Sequence, residues 1–276
     1  MNAEHEPAAL RRARLVVAYD GSSFHGFAEQ VPHDGALTRT VLGVLREALE
    51  RVCRVPLDLT GAGRTDAGVH AWGQVVSGDL PASVDLVRLA RSVNRMCGPS
   101  VVVRSAEWAD DPAFDARFSA TFRHYRYHVL NQPVAVPALA ATTWHVAEPL
   151  EHWVMQLACD PLIGEHDFSS FCRRPKVSDG YDTPSLTRRV ILAMWSEVPS
   201  DYGPLLRFEI RANAFCHQMV RSIVGTMIDV GHGKLHAGDM RGIMLRADRA
   251  AAGQVAPPQG LSLWEVGYEA PRSVSR

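Results

Sequence analysis

Lysine is nearly missing from this chain of 276 residues: Lys176 and Lys234 are the only two among 29 basic residues, so arginine supplies the other 27 (29 − 2). The guanidinium fork suits phosphate and base edges, but genome composition alone can produce the same bias, so the excess permits a nucleic-acid partner without pointing to one. Cysteine is sparse and scattered. Cys53, Cys97, Cys159, Cys172 and Cys216 are odd in number and form no Cys-x-x-Cys pair, which argues against a disulfide framework and a zinc knuckle and leaves buried or incidental thiols as the expectation for all five. Long apolar runs are lacking too; the most apolar window, 134–144, is broken by Pro137, so no membrane partner is expected. The first fourteen residues are polar, carry Arg11, Arg12 and Arg14 and hold no apolar stretch of the signal-peptide kind, so a cytoplasmic location is expected. A net charge of −1 leaves no excess of either sign, although bulk charge does not describe a patch. With 46% apolar and 21% charged residues, the chain is a globular one, long enough for two ordinary domains or one large one.

Glycine, by contrast, is concentrated around one carboxylate. Residues 61–71 read Gly-Ala-Gly-Arg-Thr-Asp-Ala-Gly-Val-His-Ala, with three glycines in eight positions. Gly61 and Gly63 begin the pattern of a dinucleotide cradle, but the third glycine position is Asp66 and a strand-like stretch follows where a helix should, which excludes that use. Two roles for Asp66 stay open: it caps a turn through its own backbone, or it presents a carboxylate for chemistry.

Hydrophobic periodicity predicts a strand over 14–19, a helix over 38–52, strands at 55–60 and 74–77, a helix over 84–96 and a strand over 101–108. That order is the split βαβ pattern of ferredoxin-like domains. After a break at 110–112 the pattern predicts a strand over 121–130, an apolar helix over 150–162 with Trp153, Val154, Leu157 and Ala158 on one face, and a polar loop over 164–183. Strands at 188–198 and 205–213 form a hairpin, helices follow at 215–230 and 238–246, and a strand closes the chain at 261–268. The second half thus repeats the element order of the first. The expected fold class is α+β: two ferredoxin-like halves joined into a mixed, mainly antiparallel sheet, with helices on one face and a groove on the other. The expected divisions are a polar extension at 1–13, a first half at 14–110 and a second at 111–276.

Residues 122–128 alternate aromatic and basic side chains. Period two puts Arg123, Tyr125 and Tyr127 on one face and Arg126 on the other. Arginine beside tyrosine can neutralise phosphate and stack on an unpaired base, and the same pattern suits a half-buried strand with snorkelling arginines. Arg221 lies among Met219, Ile223 and Met227 on a predicted helix, either solvated or placed as the partner of a carboxylate. Arg173 and Arg174 add basic density, and with Arg123 and Arg126 they make a basic groove. His232 and His236 stand four apart but lack the glutamate of a zinc-binding helix, so no metal is expected.

Several separated stretches share one resemblance. Residues 63–71, then Asp115-Ala116-Arg117-Phe118-Ser119-Ala120 leading into Tyr125-Arg126-Tyr127, then Ala212-Asn213-Ala214-Phe215 with Met219-Val220-Arg221, resemble the bacterial TruA family of tRNA pseudouridine synthases in sequence and order, over residues 14–269. The resemblance implies isomerisation of uridine to pseudouridine at positions 38, 39 and 40 in the tRNA anticodon arm, without metal or cofactor, by a homodimer with the tRNA lying across both subunits. It implies that Asp66 is the nucleophile on a flipped-out uridine. Tyr125 would then be the stacking tyrosine implicated in proton abstraction, Arg221 the partner of the aspartate, and Arg64 a basic residue that helps hold the nucleotide. The chain departs from the family at Phe27, Glu29 and Leu42, where tryptophan, a basic residue and glutamine are usual; these positions are expected on the RNA-facing side of the first half.

Overall fold

The computed structural model describes residues 9–29, 38–174 and 185–269, which fall into two units: those up to Ala120 together with Tyr268 and Glu269, and those from Thr121 to Gly267. In the first unit, β1 (Leu10–Tyr19) alternates until Val17, Ala18 and Tyr19, all buried. Helix α1 (Val41–Cys53) starts where the Thr40 side chain accepts from the Gly43 amide, and it buries Val41, Leu45, Ala48 and Leu49. Strands β2 (Leu59–Gly61) and β3 (His70–Pro81) follow. Helix α2 (Leu86–Cys97) is capped by Asp85, whose carboxylate accepts from Val87 and Arg88 amides that would otherwise lack partners. Strand β4 (Val101–Trp108) completes the set. The strand order is β4-β1-β3-β2 with every neighbouring pair antiparallel, the ferredoxin-like arrangement expected from the element order. Tyr268 belongs to this unit: its hydroxyl donates to the Ala116 carbonyl at 2.8 Å and its ring packs on Phe114.

The second unit holds β5 (Phe122–Asn131), β6 (Trp144–Val146), α3 (His152–Leu157), β7 (Gly164–Asp167), β8 (Thr187–Val198), β9 (Leu205–Ala212), α4 (Met219–Gly231), α5 (Asp239–Arg246) and β10 (Leu261–Gly267). Its order β10-β5-β9-β8 repeats that of the first unit, with β7 added beyond β8. Strand β6 pairs in parallel with the end of β5, which makes the sheet mixed. The chain is therefore α+β, as its periodicity indicates.

Two local expectations fail for physical reasons. The helix expected over 150–162 is α3 alone, six residues, followed by a 3-10 turn over Asp160–Leu162 that contains Pro161; proline lacks the amide that would continue the ladder. Its buried positions are Met155, Ala158, Cys159 and Leu162, whereas Trp153 and Leu157 are exposed, so the apolar stripe is rotated from the one expected. Residues 164–167, expected in a loop, form β7 against β8; their polar side chains hide an edge strand whose backbone is paired on one side.

Cross-strand register divides the second sheet sharply. Tyr127 faces Phe208, which faces Trp195, and the Trp195 indole donates to the Met227 sulfur of α4 at 3.0 Å. On the opposite face Arg126 lies across from Glu209, His124 from Arg211 and His128 from Arg207. The buried Glu209 carboxylate takes His124 at 2.8 Å, Arg126 at 3.2 Å and Arg207 at 2.7 Å. Burial raises its pKa, but the Arg126 and Arg207 guanidiniums, with a smaller contribution from His124, outweigh it and hold the carboxyl below the usual range. The same cations work against charging the neighbouring imidazoles: burial first, then Arg207 and Arg126, lower His128 to about 4.

Stability should follow from that imidazole. An unfolded chain binds this proton near pH 6.5 and the folded one only near 4, so stability is full above 6.5, falls as pH drops through that window and levels off below it, by on the order of 2–3 kcal/mol. Urea unfolding at pH 7 and pH 4.5 should show the loss, and His128→Gln should make it smaller.

Candidate active site

The glycine-rich segment between β2 and β3 is held by buried polar groups. The Ala62 amide donates to the Val75 carbonyl at 2.8 Å. The fully buried Gln74 amide then grips Gly63 from both sides: its Nε2 donates to the Gly63 carbonyl at 2.7 Å, and its Oε1 accepts from the Gly63 amide at 3.3 Å. Thr65, also buried, shares a 2.7 Å hydrogen bond with the Tyr19 hydroxyl, and its carbonyl accepts from the Phe27 amide at 3.1 Å. The Val69 amide donates to the Asp66 carbonyl at 3.2 Å, closing a turn in which Gly68 has φ +79°, a value that favours glycine. Ala62, Thr65 and Val69 are thus pinned inward, Arg64 and Ala67 are exposed, and Asp66 is half-buried. Asp66 makes the turn with its backbone, so turn formation and a chemical role for its carboxylate are compatible.

A second strap supports the turn from below. Gly26 has φ +107°, and a Cβ there would lie 2.9 Å from the Thr65 carbonyl oxygen, so only glycine fits without strain. Phe27 is buried, with its ring stacked on Tyr19 at 6.0 Å and filling the space left by the absent Gly61 side chain. Its difference from tryptophan is a matter of packing. Glu29 pairs with Arg46 at 2.8 Å, and the Leu42 amide donates to the Phe27 carbonyl. Beyond the turn, His70 Nδ1 lies 3.2 Å from both the Gly21 amide and an Asp20 carboxylate oxygen; unprotonated it accepts from the first, and protonated it donates to the second. Burial raises the Asp20 pKa, but hydrogen bonds from Ser22 and the nearness of His70 outweigh it and leave the carboxyl below its ordinary value.

In the second unit, Tyr125 is buried and the Phe215 ring meets it edge-on at 5.0 Å. Phe215 sits in the segment between β9 and α4, where Arg123 donates to the Asn213 carbonyl at 2.9 Å. Helix α4 is buried almost all round, the exceptions being Arg221 and Asp229. Arg221 Nε donates to the Ala256 carbonyl at 2.7 Å, and the Ala256 amide returns a 3.0 Å bond to the Arg221 carbonyl, which fixes the plane of the guanidinium. Burial pushes the Tyr127 hydroxyl pKa up, opposed by the charge of Arg221. Arg126 is on the other face of the sheet from Tyr125, held by Glu209 and stacked on Trp264 at 3.9 Å. Arg173 and Arg174 are exposed; the Arg173 amide donates to the His217 carbonyl, and the Arg174 side chain reaches the Ala247 carbonyl at 3.4 Å. Residues 175–184, which include Lys176, lie outside the described residues. Among the described residues, no group of three or more His, Cys, Asp or Glu is arranged to hold a metal ion, and no helix is long and apolar enough to cross a membrane.

Sequence spacing missed one feature. Cys172 and Cys216, expected to be incidental thiols, form a disulfide with Cα atoms 5.7 Å apart. They are 44 residues apart in sequence, so no local motif marks them; the fold brings the end of the 3-10 turn over Ser169–Phe171 beside the β9–α4 segment. Cys53, Cys97 and Cys159 are free thiols.

The family model described as tRNA pseudouridine synthase matches residues 15–119 and 158–269. Arg64, Asp66 and Arg221 fall inside those stretches, and Tyr125 falls between them. A tRNA pseudouridine synthase A of Brevibacillus brevis is 37% identical over 259 residues, covering 94% of this chain and all of the relative. Proteins of the same name from Corynebacterium glutamicum and Frankia casuarinae are 39% and 40% identical, covering 93% and 94% of this chain and 89% and 90% of their own lengths.

Thr65→Val should remove the hydrogen bond between residue 65 and the buried Tyr19 hydroxyl and lower unfolding free energy by about 1–2 kcal/mol, while Thr65→Ser keeps most of it. Equal urea midpoints for the two variants would contradict this support for the turn.

Proposed function

The chain belongs to the tRNA pseudouridine synthase family, isomerases that convert uridine to pseudouridine, and from that premise we propose that it modifies positions 38, 39 and 40 of the tRNA anticodon arm with Asp66 as nucleophile. The reaction breaks the bond from the ribose C1′ to the uracil N1 and joins C1′ to C5; the C5 proton is lost and N1 regains one. Atoms and electrons balance without an oxidant or reductant, so a carboxylate and a proton route suffice. The target base must leave its stack to be reached, and Tyr125 supplies an aromatic face that offsets part of that cost. Arg221 is the guanidinium partner that keeps the nucleophile ionised, and exposed Arg64 holds the flipped nucleotide by its phosphate. Arg123, Arg126, Arg173 and Arg174 are the proposed basic contacts to tRNA; of these, Arg126 is engaged by Glu209 and has the weakest claim. The chain acts as a homodimer in the cytoplasm, with tRNA lying across both subunits.

The observation that carries this proposal is the Asp66 turn, a half-buried carboxylate on a backbone fixed by Gln74 on one side and by Tyr19 with Thr65 on the other. A nucleophile gains from being held before the substrate arrives, and a turn that only reversed the chain would need no such clamp.

Asp66→Ala should reduce pseudouridine formation on an anticodon-arm transcript by at least about 10³-fold, with urea midpoint and tRNA affinity close to wild type. Binding with undiminished turnover would remove Asp66 from the chemistry. Binding by the wild type without turnover on any tRNA would leave an RNA-binding protein and overturn the proposal. Sedimentation at working concentration should give twice the chain mass.

A further inference from the structure

The segment between β9 and α4 is fastened at both ends and at one point between. At its start, the Asn213 side chain accepts from the Arg189 and Ala214 amides at 2.9 and 2.8 Å. At its end, Gln218 has φ +66°, a conformation that a residue with a side chain rarely adopts, and its carbonyl takes the Ser222 amide of α4 at 2.9 Å. Between the anchors, Cys216 is bonded to Cys172, and beside that bond the Arg173 amide donates to the His217 carbonyl at 3.0 Å. The residue next to Cys216 is Phe215, whose ring meets Tyr125 edge-on at 5.0 Å. With this neighbour in place Tyr125 is only 7% exposed, and moving Phe215 aside would bare more of the tyrosine ring to an incoming base. A cross-link one residue from Phe215 opposes that movement.

We propose that Cys172 and Cys216 are a reversible thiol–disulfide site that exchanges with low-molecular-weight disulfides and governs access to Tyr125. Cys216 is half-buried and Cys172 almost fully buried, which assigns the steps. The Cys216 thiolate attacks a small disulfide and releases one small thiolate; the Cys172 thiolate then attacks the mixed disulfide at Cys216 and releases the second. The two protons of the protein thiols go to the two small thiolates, and two electrons pass to the small disulfide. In the oxidised form Phe215 is held on Tyr125 and turnover is slow. In the reduced form the strained turn at Gln218 relaxes, Phe215 moves aside and turnover is fast. A disulfide with only a structural role would instead resist reduction by small thiols.

This rests on Tyr125 being the base-stacking residue of the proposed function, so the test has two separable arms. In the first, the full-length wild-type protein is equilibrated with mixtures of reduced and oxidised glutathione, the two cysteines are assigned by alkylation and peptide mass, and near-ultraviolet circular dichroism follows the aromatic pair. The pair should convert within those mixtures, with a dichroism change that Phe215→Leu abolishes. Persistence of the disulfide in about hundredfold excess reduced glutathione, absence of the disulfide under oxidised glutathione, or an unchanged aromatic signal each overturns the switch. In the second arm, pseudouridine formation by the same wild-type protein should have kcat at least about fivefold higher when reduced, with KM within about twofold, and Cys216→Ser should sit at the reduced rate under either condition. Equal kcat for the two wild-type states overturns the control of access. Conversion in the first arm with no pseudouridine from either state would instead overturn the reading of function.

Discussion

Asp66 depends on hydrogen bonds made by its neighbours. A glycine-rich turn left to itself samples many conformations, and a carboxylate on such a turn would lose orientation with every excursion. Here the Gln74 amide is taken out of water and satisfied by the Gly63 backbone, and the Tyr19 and Thr65 hydroxyls are satisfied by each other. Buried polar groups of this kind contribute modestly when paired and cost heavily when not. They therefore act less as a source of stability than as a restriction to one backbone path. Gly26 serves the same end without a hydrogen-bonding side chain, because its lack of a Cβ lets the strap carrying Phe27 lie against the turn.

The fold was legible because its signals are periodic. Alternation and 3.6-residue spacing identify the strands and helices of both units, and the element order leads to the observed strand orders once connections are right-handed. Apart from the helix cut short at Pro161, the failures share a cause: each depends on a partner distant in sequence. Strand β7 is polar because it is an edge, and its pairing with β8 is invisible locally. The stripe of α3 is set by what it packs on, so Met155 and Cys159 are buried where Trp153 and Leu157 were expected. The packing of Phe27 against Gly61 and Tyr19 is likewise not visible in its own stretch of sequence. The cysteine pair had no local motif at all. In the candidate site, the residue types around Asp66 were legible and the clamp was not, since nothing in the spacing of Tyr19, Thr65 and Gln74 says that their polar atoms meet.

The aromatic and basic strand β5 shows how far a pattern constrains a role. Period two separates Arg123 and Tyr125 from Arg126, but it does not say which face has spare charge. The register does: Arg126 meets a buried glutamate that also takes His124 and Arg207, so much of its charge is already committed within the sheet. Arg123, on the Tyr125 face, donates to the Asn213 carbonyl at 2.9 Å, and a hydrogen bond to a neutral acceptor cancels none of the guanidinium's charge. The same strand therefore serves two ends. One face builds a salt-bridged layer that stabilises the second unit, and the other carries the tyrosine and arginine that the proposed chemistry needs; adjacent arginines in one motif are not interchangeable evidence for RNA binding.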